Sequence, residues 1–280
     1  MFFISSYSFF ETHRRELIEF LAKQKKVFVA CKMNKAKKNE KNIYFINANI
    51  SNASMNILKI TQDCITAFHI LNKTREDKIF FVSTRVILLG IINSFIFSRK
   101  KFIFIFSGLG YLFISSSNLI KILRGIYLFA LRQSVKITNS LCIVQNQDDY
   151  QFLASHGIRR ENIKIIYGNG LDHRKFSEKC CEDLSKIKFL YVGRLLADKG
   201  VIEFLEASKK IANKFKGQAL IDIVGGVDEN NPACLDLEYL KDKYECNEIK
   251  FLGELKQSEV INLYEKYNIF VLPSFREGLP

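Results

Sequence analysis

Short apolar runs alternate with amphipathic segments along most of the chain. The first runs are residues 2–5, 27–31 and 43–50, and each is continuously apolar or nearly so. Continuous apolar strands are typical of parallel sheets that are buried on both faces, and the segments between them have helical spacing. The pattern therefore predicts a doubly wound α/β fold.

A helix is expected after the first strand. Thr12 is a candidate N-cap for this helix, and Leu17, Ile18 and Leu21 would form its apolar face. The residues between the first strand and Thr12 would then form a loop.

Residues 79–97 are long and apolar enough to suggest a membrane span. Arg85 lies inside this stretch, and a charged residue at the centre of a membrane helix costs about 2.5–3.5 kcal/mol. We therefore expect a buried strand at 79–82, a loop at 83–86 and a core helix, and the membrane span is the less favoured alternative.

A glycine loop, SGLGY, follows the apolar run at 102–106. It matches only part of the G-x-G-x-x-G dinucleotide fingerprint, because the third glycine is missing. Loops at the carboxyl ends of strands are where α/β sheets bind ligands, so Gly108 and Gly110 remain candidate binding residues.

The amphipathic segment 118–136 has two possible roles. Four basic residues lie among its bulky apolar ones: Lys121, Arg124, Arg132 and Lys136. The segment could be an ordinary packed helix or a helix that lies on a membrane surface.

A polar stretch, SEKCCEDLSK, separates two halves that share the same rhythm of strands and helices. The division predicted is a first domain at 1–170, a linker at 171–187 and a second domain at 188–280, whose strands are KFLYVG, ALIDIVGG, EIKFLG and IFVLPS. A chain of 280 residues is also long enough for two cores.

The turn after KFLYVG carries the first candidate chemistry. The strand stops at Gly193, and Arg194, Lys199 and Gly200 follow before an amphipathic segment. A closely approaching backbone, two cations and a helix N-terminus suit a diphosphate. The alternative is a plain strand-to-helix turn with surface cations.

The net charge of +13 is unevenly distributed. Residues 1–140 contain 22 Lys and Arg against 7 Asp and Glu, whereas residues 141–280 contain 20 against 22. The first half would suit an anionic partner, such as a membrane surface, a lipid diphosphate or a nucleic acid. The excess of positive charge could also reflect a Lys-rich residue usage. A nucleic acid is the least favoured partner, because the sequence shows no nucleic-acid-binding module.

The cysteines and the start of the chain indicate a cytosolic protein. Seven Cys show no C-x-x-C spacing, which is typical of thiols in a reducing compartment. No basic segment precedes an apolar core at the start, so no signal peptide is expected.

Four separated motifs then carry a resemblance to a known family. YVGRLLADKGVIEF, IDIVGG, IKFLGEL and LYEKYNIFVLPSFREGLP occur in the order found in the retaining glycosyltransferases of family 4. THRREL, SGLGY, VQNQDD and GNGLD in the first half are similar to that family as well. The resemblance implies a GT-B fold, in which two Rossmann-like domains face a cleft.

The resemblance also implies a donor site. The family's G-R-x-x-x-x-K-G turn corresponds to Arg194 and Lys199, which would hold the diphosphate of a nucleotide sugar, and Glu277 corresponds to the first carboxylate of an E-x(7)-E pair near the donor sugar. These three would be the catalytic residues. The other implied donor-binding residues are Gly193, Gly225, Gly226, Phe251, Leu252, Gly253 and Gly278.

The first half would supply the acceptor side. The residues that the resemblance implies there are His13, Arg14, Arg85, Gly108, Gly110 and Asn169. For the isolated residues, ordinary roles compete with this one: His13 could be a cap or surface residue, Arg85 a solvent-reaching side chain, and Asn169 part of a structural turn.

The function implied is transfer of a sugar, with retention, to a lipid-linked or polysaccharide acceptor in surface-glycan biosynthesis. The enzymes most similar in VGGVDENNPACLDLEYL and SGLGYLF add an N-acetylhexosamine, often N-acetylgalactosamine, to undecaprenyl-diphosphate-linked glycans. The donor expected is UDP-linked, no metal or cofactor is expected, and the protein would lie peripherally on the inner face of the cell membrane.

One feature of the family falls outside the sequence. The second Glu of E-x(7)-E would be residue 285, beyond Pro280, so the second domain is expected to be incomplete. Two explanations stay open: a fragment of an active enzyme, or a truncated, non-catalytic remnant that binds only membrane or nucleotide.

Overall fold

The computed structural model describes residues 1–35, 37–50, 56–109, 111–114, 117–168, 170, 184–228, 231, 233–275 and 277. The chain divides into two compact units, Met1–Leu171 (unit 1) and Asp172–Gly278 (unit 2). Most of the predicted linker, residues 171–183, lies outside the described residues.

Unit 1 is built on a seven-stranded parallel sheet with strand order β3-β2-β1-β4-β5-β6-β7. Its strands are β1 (Phe2–Ser6), β2 (Val27–Lys32), β3 (Ile43–Asn47), β4 (Lys78–Val82), β5 (Lys101–Ile105), β6 (Leu141–Val144) and β7 (Ile163–Ile165). Strands β1 to β3 are added toward one edge of the sheet, and β4 to β7 toward the other edge. The switch point between β1 and β4 is where doubly wound sheets bind ligands.

Helices cover both faces of this sheet. They are α1 (Tyr7–His13), α2 (Arg15–Ala22), α3 (Ile57–Lys73), α4 (Thr84–Ser94), α5 (Tyr111–Ile114), α6 (Asn118–Thr138) and α7 (Gln147–Ser155). Because side chains alternate along a strand, Phe3 and Phe81 pack under α3, α4 and α6, whereas Phe2 and Val82 pack on the opposite face with α1 and α2.

Two local predictions for unit 1 were wrong. Thr12 does not cap a helix: α1 begins directly after β1, Ser6 caps it by accepting a hydrogen bond from the amide of Phe9, and the Thr12 hydroxyl donates to the carbonyl of Ser8. The loop expected at 83–86 is a single residue, because Ser83 turns the chain at φ 79° and α4 starts at Thr84. In both cases the turn is tighter than the sequence suggested.

Unit 2 repeats the architecture with a four-stranded parallel sheet in the order β10-β9-β8-β11. Its elements are β8 (Ile187–Val192), α8 (Val201–Lys214), β9 (Ala219–Val224), α9 (Leu237–Tyr244), β10 (Ile249–Gly253), α10 (Gln257–Tyr264) and β11 (Ile269–Phe270). The core lies between the sheet and helices α8 and α9, with Leu205, Ile221 and Leu240 buried in it.

The α/β fold class and the strands predicted from apolar runs are confirmed. None of the helices within the described ranges is both long enough and apolar enough to cross a bilayer. Residues 79–97 form instead the end of β4, all of α4 and the turn after it, as the favoured interpretation predicted.

Candidate active site

The predicted donor residues lie at one edge of the unit 2 sheet. Since all four strands are parallel, their carboxyl ends meet there. β8 leads into Gly193, β9 into Gly225, β10 ends at Gly253, and β11 leads into the segment that reaches Glu277.

Glycine lets two of these strand ends approach closely. A Cβ atom on Gly225 would lie 1.8 Å from the carbonyl oxygen of Gly193, which no side chain can tolerate. The amide of Gly193 donates to the carbonyl of Val224, and the amide of Leu195 donates to that of Gly226. The turn that carries Arg194 is therefore fixed against the end of β9.

The turn that carries Lys199 is fixed against the segment after β11. A short 3-10 turn, Ala197–Lys199, is followed by Gly200 at φ 67°, where a Cβ atom would lie 2.1 Å from the carbonyl oxygen of Pro273. The amide of Phe275 donates to the carbonyl of Asp198. Gly200 is therefore required by its backbone conformation and by this contact.

Lys199 and Glu277 form an ion pair. The Lys199 Nζ atom donates to the Glu277 Oε1 atom at 2.7 Å, and the two side chains are 21% and 23% exposed. The fold thus brings two predicted catalytic residues into contact across 78 positions of sequence.

Arg194 pairs with a residue that the sequence did not single out. Its Nη1 atom donates to Asp228 Oδ2 at 2.6 Å, and the arginine side chain is 58% exposed. The carbonyl of Arg194 accepts a hydrogen bond from the hydroxyl of buried Tyr191. Burial raises the pKa of Tyr191, and the negative charge of Glu277 raises it further. This hydroxyl therefore remains a donor.

The end of β10 completes the edge. The carbonyl of Gly253, a residue at φ 73°, accepts a hydrogen bond from the amide of Gly225. Gly226 faces Glu254, whose Oε2 atom would lie 3.0 Å from a Cβ at position 226. Phe251 is half-buried and Leu252 exposed beside them. Sequence reasoning missed Glu254 because a carboxylate after a strand has no distinctive local pattern.

This edge presents two cations on turns that are held by backbone contacts, and each cation is paired with a carboxylate. The carboxylates of Asp228 and Glu277 are the partners of Arg194 and Lys199, and a bound anion could replace them. A diphosphate offers several acceptor oxygens for such charge-assisted hydrogen bonds. The arrangement is therefore suited to binding a phosphorylated ligand.

In unit 1, the predicted acceptor residues have separate environments. His13 is exposed and its ring packs against Phe9. Arg14 is buried at the break between α1 and α2, and burial lowers its pKa to about 10. Arg85 is largely buried, where its Nη2 atom donates to Asp63 Oδ2 of α3 at 2.9 Å, so it is not the solvent-reaching side chain of the alternative.

The SGLGY loop is tied to the start of α4. The hydroxyl of Thr84 donates to the carbonyl of Leu109, and Gly108 adopts φ 99° in the same loop. Three predicted site residues, Gly110, Asn169 and Gly278, lie outside the described residues.

A basic cavity lies at the carboxyl ends of β1 and β2. It has a volume of about 530 Å³ and is lined by residues 6–8 and by Lys32, Lys35 and Lys37, among others. Lys37 lies over the Tyr7 ring at 4.2 Å from its centre. The carboxylate of Glu11 lies near this lining: it pairs with Arg15, and the charge of Lys37 helps to lower its pKa.

The described part of the chain contains no group of three or more His, Cys, Asp or Glu side chains that could hold a metal ion. The Asp236-Leu237-Glu238 stretch has a structural role at the start of α9, because Asp236 Oδ1 accepts hydrogen bonds from the amides of Glu238 and Tyr239.

Comparison with known proteins finds glycosyltransferases among the similar sequences and folds. Over 185 residues, 62% of this chain and 46% of the relative, the chain is 30% identical to an N,N'-diacetylbacillosaminyl-diphospho-undecaprenol alpha-1,3-N-acetylgalactosaminyltransferase of Campylobacter jejuni. Over 156 residues, 54% of this chain and 38% of the relative, it is 30% identical to the capsular polysaccharide biosynthesis glycosyltransferase CapM of Staphylococcus aureus. The matches thus span less than half the length of these curated relatives.

A solved structure of similar fold is that of Anabaena Alr3699/HepE in complex with UDP-glucose. Its TM-score is 0.64, and the similarity covers 98% of this chain and 73% of that one at 18% sequence identity. This similarity confirms the predicted GT-B fold class.

Residues 172–280 match the family described as Glycosyl transferases group 1. The matched residues include Arg194, Lys199 and Glu277 of unit 2.

Proposed function

We propose that the protein is a glycosyltransferase that uses a nucleotide diphosphate sugar, with unit 2 as its donor-binding unit. The observation that carries the proposal is the convergence of Arg194, Lys199 and Glu277 at one strand edge of a group 1 glycosyl transferase domain. A UDP-linked donor is supported by the similar fold of the Anabaena protein, whose structure was solved in complex with UDP-glucose.

The cations would act on the leaving group. When the bond between the anomeric carbon and the diphosphate oxygen breaks, its electron pair goes to the diphosphate. The departing diphosphate takes up the proton that the acceptor hydroxyl loses as the new glycosidic bond forms. Lys199 and Arg194 would stabilise the charge that develops on the departing diphosphate. Their positions are fixed by backbone contacts before the substrate arrives, which favours the transition state. Retention of configuration is part of the proposal and rests on the resemblance.

Glu277 would contact the donor sugar rather than the phosphates. The Glu277 Oε1 atom lies 2.7 Å from the Nζ atom of Lys199, a residue of the proposed diphosphate site. A carboxylate at that position suits the hydroxyl groups of a hexose as hydrogen-bond donors.

The acceptor we propose is a lipid-linked glycan of surface-polysaccharide biosynthesis. The name of the Campylobacter relative contains a diphospho-undecaprenol acceptor, and that of CapM contains capsular polysaccharide. The lysine-lined cavity of unit 1 is a suitable site for a phosphate-bearing acceptor, and His13, Arg14 and Arg85 remain proposed acceptor-side residues. Peripheral association with the cytoplasmic face of the membrane is part of the same proposal.

A transfer assay tests this function. The purified chain is incubated with UDP-N-acetylhexosamines and UDP-hexoses, together with an undecaprenyl-diphosphate-linked glycan in detergent, and the products are analysed by mass spectrometry. We expect one sugar to be added with one of the donors, and no addition with Lys199→Ala. Donor binding without transfer to any acceptor would favour the non-catalytic binding protein instead.

A further inference from the structure

Three neighbouring helices of unit 1 expose large apolar side chains to solvent. α4 packs against both α3 and α6 on one face of the sheet. The outward side chains on these helices and on the turn after α4 are 40–77% exposed: Ile57, Leu58, Ile65, Ile92, Phe95, Ile96, Leu119, Ile122, Ile126 and Phe129. We refer to this surface as the three-helix face. Large apolar side chains exposed on neighbouring helices are typical of an interaction site.

The exposed residues of α6 form a stripe along the helix. Leu119, Ile122, Ile126 and Phe129 are spaced by three or four positions, so at 3.6 residues per turn they fall within an arc of about 80°. The buried residues of α6, such as Leu128 and Leu131, lie on another side of the helix. The helix therefore has two apolar surfaces, and the fold covers only one of them.

The sequence of this region carries an excess of positive charge. Residues 78–147 contain nine Lys and Arg and no Asp or Glu, while Glu76 and Asp77 precede them and Asp77 lines a surface pocket with Ile96 and Arg99. In α3 the one carboxylate, Asp63, is buried and paired with Arg85. On α6, the exposed side chains of Lys121, Arg132 and Lys136 lie beside the apolar stripe. The three-helix face therefore combines apolar side chains with an excess of cations.

We infer that the three-helix face docks onto an anionic lipid bilayer. Apolar side chains that enter the interface, with lysines and arginines beside them, are the features that bind a helix to such a surface. Each cation near an anionic membrane adds a favourable electrostatic contribution. A second copy of the chain fits poorly, since a symmetric contact would bring the same positive surfaces together.

A bilayer-docked enzyme would meet a lipid-linked acceptor in the plane of the membrane. To that extent the inference rests on the proposed function, but lipid docking and sugar transfer are measured separately. The three-helix face contains none of the proposed donor residues.

The test is flotation of the purified chain with vesicles that contain phosphatidylglycerol, compared with vesicles of phosphatidylcholine alone. We expect binding to the anionic vesicles that weakens as salt is added. Phe129→Glu places a carboxylate on the α6 stripe and should reduce the vesicle partition coefficient about tenfold. The matched control is Phe20→Glu, because Phe20 is 57% exposed on α2, which packs on the opposite face of the sheet.

Three results would overturn the inference. The first is that the parent chain does not bind anionic vesicles. The second is that Phe129→Glu and Phe20→Glu lose vesicle binding to the same extent. The third is that the parent chain binds no vesicles and is a dimer in solution, which Phe129→Glu converts to a monomer. Thermal stabilisation by UDP is measured on the same samples. If Phe129→Glu no longer binds vesicles but is still stabilised by UDP, lipid docking and donor binding depend on different surfaces. If UDP does not stabilise the parent chain, that result counts against the proposed function and not against lipid docking.

Discussion

The ion pair between Lys199 and Glu277 joins two residues that belong to different strand ends. Its members are about one-fifth exposed, and Glu277 competes with any anion for the lysine. The carboxylate therefore lowers the affinity of the empty site for a diphosphate, while it would remain available to the hydroxyl groups of a sugar. Removing the charge of Glu277 alone therefore tests both its competition with the diphosphate and its contact with the sugar.

We predict that Glu277→Gln binds UDP more tightly than the parent chain does. Loss of the carboxylate leaves the charge of Lys199 available, and a partly exposed ion pair is worth up to about 1 kcal/mol, or about fivefold in Kd. The preference for a UDP-sugar over UDP should decrease, because a neutral amide oxygen accepts weaker hydrogen bonds from the sugar hydroxyl groups than a charged carboxylate does. Isothermal titration calorimetry measures both, with Glu265→Gln as the control, and weaker UDP binding by Glu277→Gln would contradict this role.

Two glycines with the same backbone conformation separate strain from contact. Gly200 and Gly217 have φ of 67° and 72°, but a Cβ atom at Gly200 would overlap Pro273, whereas nothing lies within 4 Å at Gly217. We predict that Gly217→Ala costs about 1 kcal/mol of unfolding free energy and that Gly200→Ala costs several times more. Urea denaturation measures both, and equal losses would mean that the Pro273 contact is unimportant.

Single residues were predicted to different extents. Arg194, Lys199 and Glu277 could be proposed from sequence because each belongs to a contiguous motif. Asp228 was missed, since its contact with Arg194 depends on two loops that follow adjacent strands. The burial of Arg85 against Asp63 was missed for the same reason: the two residues lie on different helices.

At the scale of elements, apolar runs predicted the strands well. Burial on both faces makes parallel strands continuously apolar, and this signal is local. Helix starts were harder, because α1 and α4 begin at Tyr7 and Thr84, with no more than one residue between each helix and the strand before it. A residue such as Thr12 can have the chemistry of a cap without being at the start of a helix.

The start of α9 provides a test at this scale. Asp236 caps the helix through its side-chain oxygen, so Asp236→Ala should lower the free energy of unfolding by about 1 kcal/mol. Asp236→Asn retains an acceptor oxygen and should stay close to the parent in urea denaturation. If the two variants were equally destabilised, the charge rather than the cap would be the important feature.

At the scale of the whole chain, the two units differ in charge. Residues 1–140 contain 22 basic and 7 acidic residues, whereas the second half is nearly balanced. The proposed division of labour follows this difference: unit 1 would contact lipid and acceptor phosphates, and unit 2 would bind the donor. Composition alone left the anionic partner open, because residue counts do not say which surfaces the basic side chains share with apolar ones.

The central claim is that the strand edge of unit 2 recognises the diphosphate of a nucleotide sugar. Isothermal titration calorimetry with UDP and UMP tests it most directly, using the parent chain, Lys199→Ala and the control Lys210→Ala, whose lysine is exposed on α8. A charge-assisted hydrogen bond is worth about 1.5–3 kcal/mol, so we predict that UDP binds at least about tenfold more tightly than UMP, and that Lys199→Ala, but not Lys210→Ala, loses this difference. Equal affinity for UDP and UMP, or an unchanged preference in Lys199→Ala, would contradict the account.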